Sequence, residues 1–186
     1  MNRKEARAVC IRLMCCIVLG ACIQFTGSGV LFFLFELFPQ IGESYQGIVA
    51  PLAELTPQML TYTIVVAPLI EEGVFRGAFL HLGMRVLPFW IMNLIQAVLF
   101  GMYHGNIIQG VYTFLCGLLF GYICKETNLV YVIIIHISLN AFGVYISNAF
   151  GEGVGMAFQL ISFVIAAIIG VALTFLMIRR EEDGEQ

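Results

Sequence analysis

Residues 86–124 read VLPFWIMNLIQAVLFGMYHGNIIQGVYTFLCGLLFGYIC, a stretch that contains no Asp, Glu, Lys or Arg. A helix needs about 20 apolar residues to cross a hydrocarbon core about 30 Å thick, so this stretch is long enough for two crossings. Its His104-Gly105-Asn106 sequence is typical of a turn. The chain offers little of the period-two alternation of a membrane barrel, and backbone groups in lipid must be hydrogen-bonded within their own segment. The stretch therefore predicts a pair of transmembrane helices.

The composition of the whole chain indicates the same class. Of its 186 residues, 60% are hydrophobic and only 11% are charged. A soluble globular protein is about half apolar and a quarter charged, so this chain has too little charge to cover a soluble surface. The net charge of −3 argues against binding to nucleic acid, which requires a basic surface.

Further uncharged runs predict six transmembrane helices in all. The predicted spans are residues 9–36, 58–83, 88–104, 107–124, 129–148 and 155–178. We interpret residues 39–57 as a loop with a short interfacial helix. The first span is long and has no small-residue cleavage signature, so we expect a retained helix rather than a signal peptide. The predicted fold is an all-α integral membrane protein, a bundle of about six transmembrane helices with a buried polar site. We expect residues 1–186 to form a single membrane domain, whose core at about 58–148 contains the polar residues described below.

The basic residues predict how these spans are oriented. The chain has nine Lys and Arg residues. If the N-terminus is cytoplasmic, all of them except Arg76 fall at cytoplasmic ends or loops. The predicted outer loops carry only Glu43, Glu54 and Glu152. This positive-inside pattern predicts a multi-pass protein of the cell membrane with both termini in the cytoplasm.

Three charged residues interrupt the second predicted span, in the sequence Pro68-Leu-Ile-Glu71-Glu72-Gly-Val-Phe-Arg76. A charge inside a membrane helix costs a few kcal/mol or more, so it usually has a partner and a function. Glu72 and Arg76 are four residues apart and share one helix face, which predicts an ion pair. Glu71 is rotated by about 100° from that face. A carboxylate held away from Arg76 in apolar surroundings is suited to act as a general base.

Two later spans carry more polar residues, namely His104 at the end of the third span and His136 and Asn140 in the fifth. We expect these three and the two glutamates to meet in one buried cluster, which could activate a water molecule and stabilise an oxyanion. A structural interpretation is also open, and for the Glu72–Arg76 pair we favour it. A single histidine or asparagine can simply bridge membrane helices. Five such residues on three spans are harder to explain by structure alone.

The three motifs resemble those of the CPBP family, which comprises CAAX proteases and bacteriocin-processing enzymes and includes the type II CAAX prenyl endopeptidases and the Abi-type bacterial proteins. The motifs are E-E-x-x-x-R, F-x-x-x-H and H-x-x-x-N, in that order and on separate spans. Here they read Glu71-Glu72-Gly-Val-Phe-Arg76, Phe100-Gly-Met-Tyr-His104 and His136-Ile-Ser-Leu-Asn140. The resemblance covers about residues 58–148, and the outer spans match only as generic membrane helices.

This resemblance implies an intramembrane endopeptidase and a role for each motif residue. Glu71 and His104 would activate the attacking water, and Glu72 would support the site and pair with Arg76. His136 and Asn140 would bind the developing oxyanion. The implied partners are the lipid bilayer and a membrane-anchored peptide or protein substrate, with no nucleic acid.

The resemblance does not firmly imply a cofactor, although the family is often labelled as a family of metalloproteases. The ligand pattern differs from the H-E-x-x-H of zinc proteases, in which two histidines one helix turn apart bind the metal. Glu71, His104 and His136 could still serve as three ligands of a divalent metal such as zinc. We favour water activated by glutamate without a metal.

Two other classes of function compete with proteolysis. Small bacterial relatives are associated with bacteriocin self-immunity or with a scaffolding role that requires no proteolysis. A small transporter or channel could also be built on buried acids. The absence of repeat symmetry, and of charged residues within the fourth and sixth spans, argues against transport. The complete set of motifs favours an enzyme.

Overall fold

A computed structural model describes residues 3–49, 56–149 and 156–182 of the chain, and all their regular secondary structure is helical. This confirms the predicted all-α class. The helices, with two π-helical segments named π1 and π2, are α1 (Arg3–Leu37), α2 (Pro39–Val49), α3 (Pro57–Thr61), π1 (Tyr62–Val66), α4 (Ala67–Glu72), π2 (Gly73–Leu80), α5 (His81–Gly83), α6 (Phe89–Tyr103), α7 (Ile107–Glu126), α8 (Leu129–Ala149) and α9 (Met156–Glu182).

Apolar helices occur where the uncharged runs predicted them. Within the described residues, three helical segments are long and apolar enough to cross a membrane: Ala6–Leu37, Ile107–Glu126 and Ile161–Ile178. The predicted third and fifth spans correspond to shorter apolar helices, Phe89–Tyr103 and Leu129–Val144. The predicted second span is helical but divides into short α and π segments. The total of six crossings stays a prediction.

The break between α1 and α3 contains α2, which agrees with the predicted interfacial helix. Residues 50–55 of that predicted loop lie outside the described residues, as do residues 150–155, which contain the predicted outer loop with Glu152.

Local sequence determines where α7 and α8 begin. The side-chain oxygen of Asn106 accepts hydrogen bonds from the backbone nitrogens of Ile108 and Gln109, at 2.8 and 3.1 Å. Asparagine is a preferred N-cap because it satisfies backbone donors that have no partner within the helix. Asn128 caps α8 in the same way. Gly105, with φ of +67°, supplies the left-handed residue after α6 that an ordinary side chain disfavours. Helix α6 thus ends at Tyr103, and His104, the histidine of the predicted third span, is its C-cap residue.

The chain separates into two compact units, each of which is described here by itself. The first unit comprises Met1–Val66 and Ile134–Phe175, and the second comprises Ala67–Ile133 and Leu176–Gln186. The single domain predicted for residues 1–186 stays a prediction.

In the first unit, α1 packs closely against α8. The Ser138 hydroxyl donates a hydrogen bond to the backbone oxygen of Ile17 at 2.7 Å. A side chain at Gly20 would collide with the backbone oxygen of Ile135. Small residues at helix interfaces are typical of membrane proteins, because close approach increases dispersion contacts where no hydrophobic driving force operates.

In the second unit, α6 and α7 form an equally close pair. A Cβ atom at Gly101 would lie 2.7 Å from the backbone oxygen of Gly110. One at Gly117 would lie 3.0 Å from the Cα and Cβ atoms of Ala97. The two helix backbones therefore come close enough for polar side chains of α6 to reach carbonyl groups of α7. This geometry organises the surroundings of the first motif.

Candidate active site

Glu72 and Arg76 form the ion pair that their spacing predicted. Glu72 Oε1 and Arg76 Nη1 are 2.9 Å apart, and both side chains are fully buried. Removal of two charges from a polar environment costs several kcal/mol per ion, so such a pair persists only with good geometry and further contacts. The pair spans the boundary between α4 and π2.

Two aromatic rings and a carbonyl group complete the surroundings of Arg76. Its guanidinium carbon lies 4.3 Å from the centroid of the Phe100 ring and 5.5 Å from that of Phe120. Its Nη2 atom donates to the backbone oxygen of Gly117 at 3.4 Å. The negative faces of aromatic rings attract a cation, most strongly where water is excluded. Arg76 thus connects the first motif to Phe100 of the second motif and to α7.

A second group of polar side chains reaches the same carbonyl, and sequence reasoning missed it. Gln96 Nε2 donates to the backbone oxygen of Gly117 at 2.8 Å and to Asn93 Oδ1 at 2.8 Å. Asn93 Nδ2 donates to the backbone oxygen of Leu118 at 3.0 Å. The signal was present, because Asn93 and Gln96 are polar residues three apart in an otherwise apolar span. Their contacts identify them as structural supports of the site.

His104 is held in a defined orientation at the end of α6. Its Nδ1 atom is 2.9 Å from the backbone oxygen of Phe100. A carbonyl oxygen only accepts hydrogen bonds, so this contact requires a proton on Nδ1 and, in a neutral ring, leaves the lone pair on Nε2. The ring also contacts Phe100 edge to face, at 4.9 Å between centroids. His104 therefore presents the nitrogen that could accept a proton from water.

The two glutamates differ in their environment. Glu72 is fully buried, whereas Glu71 is half-buried. Beside them, a Cβ atom built at Gly73 meets no atom of the described residues within 4 Å. One built at Gly77 would lie 3.1 Å from Leu129 Cδ2. Gly77 therefore serves helix packing, while Gly73 leaves space on the motif helix next to the glutamates.

The third motif lies on α8, in the other unit. His136 is buried and Asn140 is half-buried. Asn140 Nδ2 donates to the backbone oxygen of Thr63 at 2.9 Å. Thr63 lies in π1, where i→i+5 bonding would direct its carbonyl to residue 68, a proline without an N–H group. Asn140 thus supports the backbone where that bond is missing, and its second amide hydrogen remains a potential donor.

The second unit therefore connects four of the seven predicted site residues through direct contacts. Glu72 pairs with Arg76, Arg76 contacts Phe100, and Phe100 contacts His104. Glu71 is the sequence neighbour of Glu72 in that unit. His136 and Asn140 belong to the first unit. Their convergence with Glu71 and His104 stays a prediction.

Glu71, His104 and His136 are the possible metal ligands named from the sequence. No group of three or more His, Cys, Asp or Glu side chains suited to hold a metal ion occurs within residues 3–49, 56–149 and 156–182. The six cysteines are free thiols. Glu71 and His104 belong to one unit and His136 to the other, so both the three-ligand metal site and the metal-free site stay predictions.

About half of the chain resembles a known protein family. Residues 53–142 match a family model described as Type II CAAX prenyl endopeptidase Rce1-like. No curated protein and no solved structure is significantly similar to the chain. The matched residues contain all three motifs, and the apolar helices agree with a membrane protein. Over these residues the chain is therefore similar to the Rce1-like family of CAAX-protease-type membrane endopeptidases.

Proposed function

We propose that the chain hydrolyses a peptide bond of a membrane-associated peptide or protein, with Glu71 and His104 activating the attacking water. The observation that carries the proposal is the occurrence of all three motifs within the residues that match a family of membrane proteases. Glu71 is half-buried, whereas Glu72 is fully buried and engaged by Arg76. This difference favours Glu71 as the base and Glu72 as the support.

The proposed reaction uses groups of this chain alone. His104 accepts a hydrogen bond from water at Nε2, and Glu71 takes the proton as the water oxygen attacks the carbonyl carbon. His136 and the second amide hydrogen of Asn140 stabilise the resulting oxyanion. The bond between carbon and nitrogen then breaks, and the leaving amine receives the proton from Glu71. The products are a new carboxylic acid, which keeps the second proton of the water, and a new amine; the acid then transfers this proton to the amine or to solvent, which leaves a carboxylate.

The substrate is proposed to be anchored in the bilayer. Large apolar side chains are exposed along the helices, including Leu94, Val111 and Leu115, at 50%, 59% and 58%. Such surfaces are suited to contact with lipid, so a substrate held in the same membrane would meet the protein at high local concentration. The basic residues favour a cell-membrane orientation with both termini in the cytoplasm.

We expect that a strong chelator will leave cleavage by the purified protein unchanged, because in the proposed reaction Glu71 and His104 activate the water without a metal. The assay incubates the protein in liposomes with a library of membrane-anchored peptides and identifies new termini by mass spectrometry. A soluble zinc protease in the same buffer provides the control for effective chelation. Activity that is lost on chelation and restored by zinc would show that Glu71, His104 and His136 act as metal ligands instead.

A further inference from the structure

One end of the α6–α7 pair carries aromatic rings that lie on its surface. Trp90 is 66% exposed, and its ring stacks on that of Tyr122 with 5.8 Å between centroids and an angle of 17°. Phe89 contacts Trp90 edge to face at 4.8 Å. Val86, in the turn before α6, is 83% exposed. A stacked pair of rings and an exposed valine form an apolar surface that water would disfavour.

Charged groups occupy the same end. The Lys125 ammonium lies 4.8 Å from the centroid of the Phe89 ring and 2.9 Å from Glu126 Oε1. The Lys125 side chain remains 43% exposed, and Arg85 in the preceding turn is exposed as well. Exposed charges of this kind are costly in the hydrocarbon core. The surface therefore suits neither water alone nor hydrocarbon alone.

We propose that Phe89, Trp90, Tyr122 and Lys125 form an interfacial anchor that binds the headgroup region of the bilayer. Tryptophan and tyrosine rings concentrate at membrane interfaces because they combine an apolar body with a hydrogen-bonding group. A lysine stem can lie along apolar surface while its ammonium reaches the polar region. Phe89 contacts both the Lys125 ammonium and the Trp90 ring, so the aromatic and cationic parts of the anchor lie at one level.

The anchor sets the depth of α6, and with it the depth of His104. Trp90 and His104 are 14 residues apart in sequence, which is about 21 Å along a helix that rises 1.5 Å per residue. His104 consequently lies no more than about 21 Å from the interface that holds Trp90, and tilt of the helix would reduce this distance. The anchor would hold the protein at this depth in the membrane whether or not the protein is a protease.

The chain contains one tryptophan, so its own fluorescence reports the position of the anchor. The full-length protein is reconstituted in bilayers whose lipids carry bromine either near the headgroup or near the ends of the acyl chains. We expect stronger quenching of Trp90 by the bromine near the headgroup. Stronger quenching by the deep bromine, or quenching by aqueous iodide without an effect of either lipid, would overturn the proposal.

A relocated tryptophan provides the matched control. Val98 is exposed on the same helix, eight residues and so about 12 Å further along it. In the double variant Trp90→Phe with Val98→Trp, we expect the bromine near the ends of the acyl chains to quench the fluorescence more strongly than the bromine near the headgroup. The variant Trp90→Phe with Leu94→Trp, at a position that is 50% exposed, should give an intermediate ratio. If the bromine near the headgroup quenches the tryptophan more strongly at all three positions, the proposed anchor is contradicted.

Discussion

The Glu71→Gln variant should remain folded and lose cleavage by about 100- to 10,000-fold, the range that a positioned general base contributes. Glutamine keeps the size of the side chain but cannot take the proton from water. Glu71 is half-buried, and the carboxylate in the buried ion pair with Arg76 is that of Glu72, so both charges of that pair are retained in the variant. The measurement compares cleavage of a membrane-anchored peptide with thermal unfolding of the same preparation.

A matched control is available at Glu36, an exposed carboxylate near the end of α1. Glu36→Gln makes the same chemical change and should leave both cleavage and unfolding temperature as in the unmodified protein. Near-normal cleavage by Glu71→Gln would show that Glu71 is not the base. An inactive but fully stable Glu72→Gln variant would then assign that role to Glu72.

The Glu72→Gln variant should lower the free energy of unfolding by about 3–5 kcal/mol, the typical cost of removing one partner of a buried ion pair. Arg76, only 1% exposed, would keep its charge without a carboxylate to compensate it. The rings of Phe100 and Phe120 and the carbonyl of Gly117 would remain in contact with the guanidinium. Because these contacts offset only part of the lost attraction, thermal unfolding in detergent should begin at a clearly lower temperature.

The double variant Glu72→Gln with Arg76→Met should recover part of this stability, because it removes the uncompensated charge. Residues in direct contact have non-additive effects, and comparison of the two single variants with the double variant isolates the energy of the pair. Arg76→Met alone should also be destabilising, since it leaves the Glu72 carboxylate buried without its arginine. If the double variant is destabilised by the sum of the two single changes, the pair does not contribute as the structure indicates.

The helices of the second unit could be predicted closely from sequence, for physical reasons that can be named. The predicted span 88–104 differs from α6 (Phe89–Tyr103) by one residue at each end, since Pro88 and the Gly105 turn mark its limits. The start of α7 at Ile107 was predicted because the turn sequence ends there, and the Asn106 cap accounts for that start. The lengths of the uncharged runs and the residues of the turns therefore determined where these helices begin and end.

The internal form of the second span could not be predicted in this way. The segments π1 and π2 differ from an α-helix only in hydrogen bonding, i→i+5 in place of i→i+4, while the apolar composition is the same. Pro68 indicated a missing donor, but the compensation by Asn140 comes from another helix, 77 residues away in sequence. A pattern within one helix contains no information about such a partner.

In the candidate site as well, contacts within one helix could be predicted from the sequence, whereas contacts between helices could not. Glu72 and Arg76 could be predicted as a pair because their spacing of four residues places them on one face. The contacts of Gln96 and Arg76 with the Gly117 carbonyl depend on how closely α6 approaches α7, which follows from small residues on both helices. His136 and Asn140 could be recognised by their motif, while the contact of Asn140 with Thr63 required the three-dimensional structure.

Cleavage in water enriched in ¹⁸O tests the proposed hydrolysis most directly. The purified protein and the membrane-anchored peptide library are combined in liposomes, and the new carboxyl termini are analysed by mass spectrometry. Attack by water predicts that each new carboxylate carries one ¹⁸O atom, and that the Glu71→Gln variant yields no such product above background. If the unmodified protein yields no cleaved peptide, or if both proteins yield the labelled product equally, the assignment of this site as a Glu71-dependent endopeptidase is contradicted.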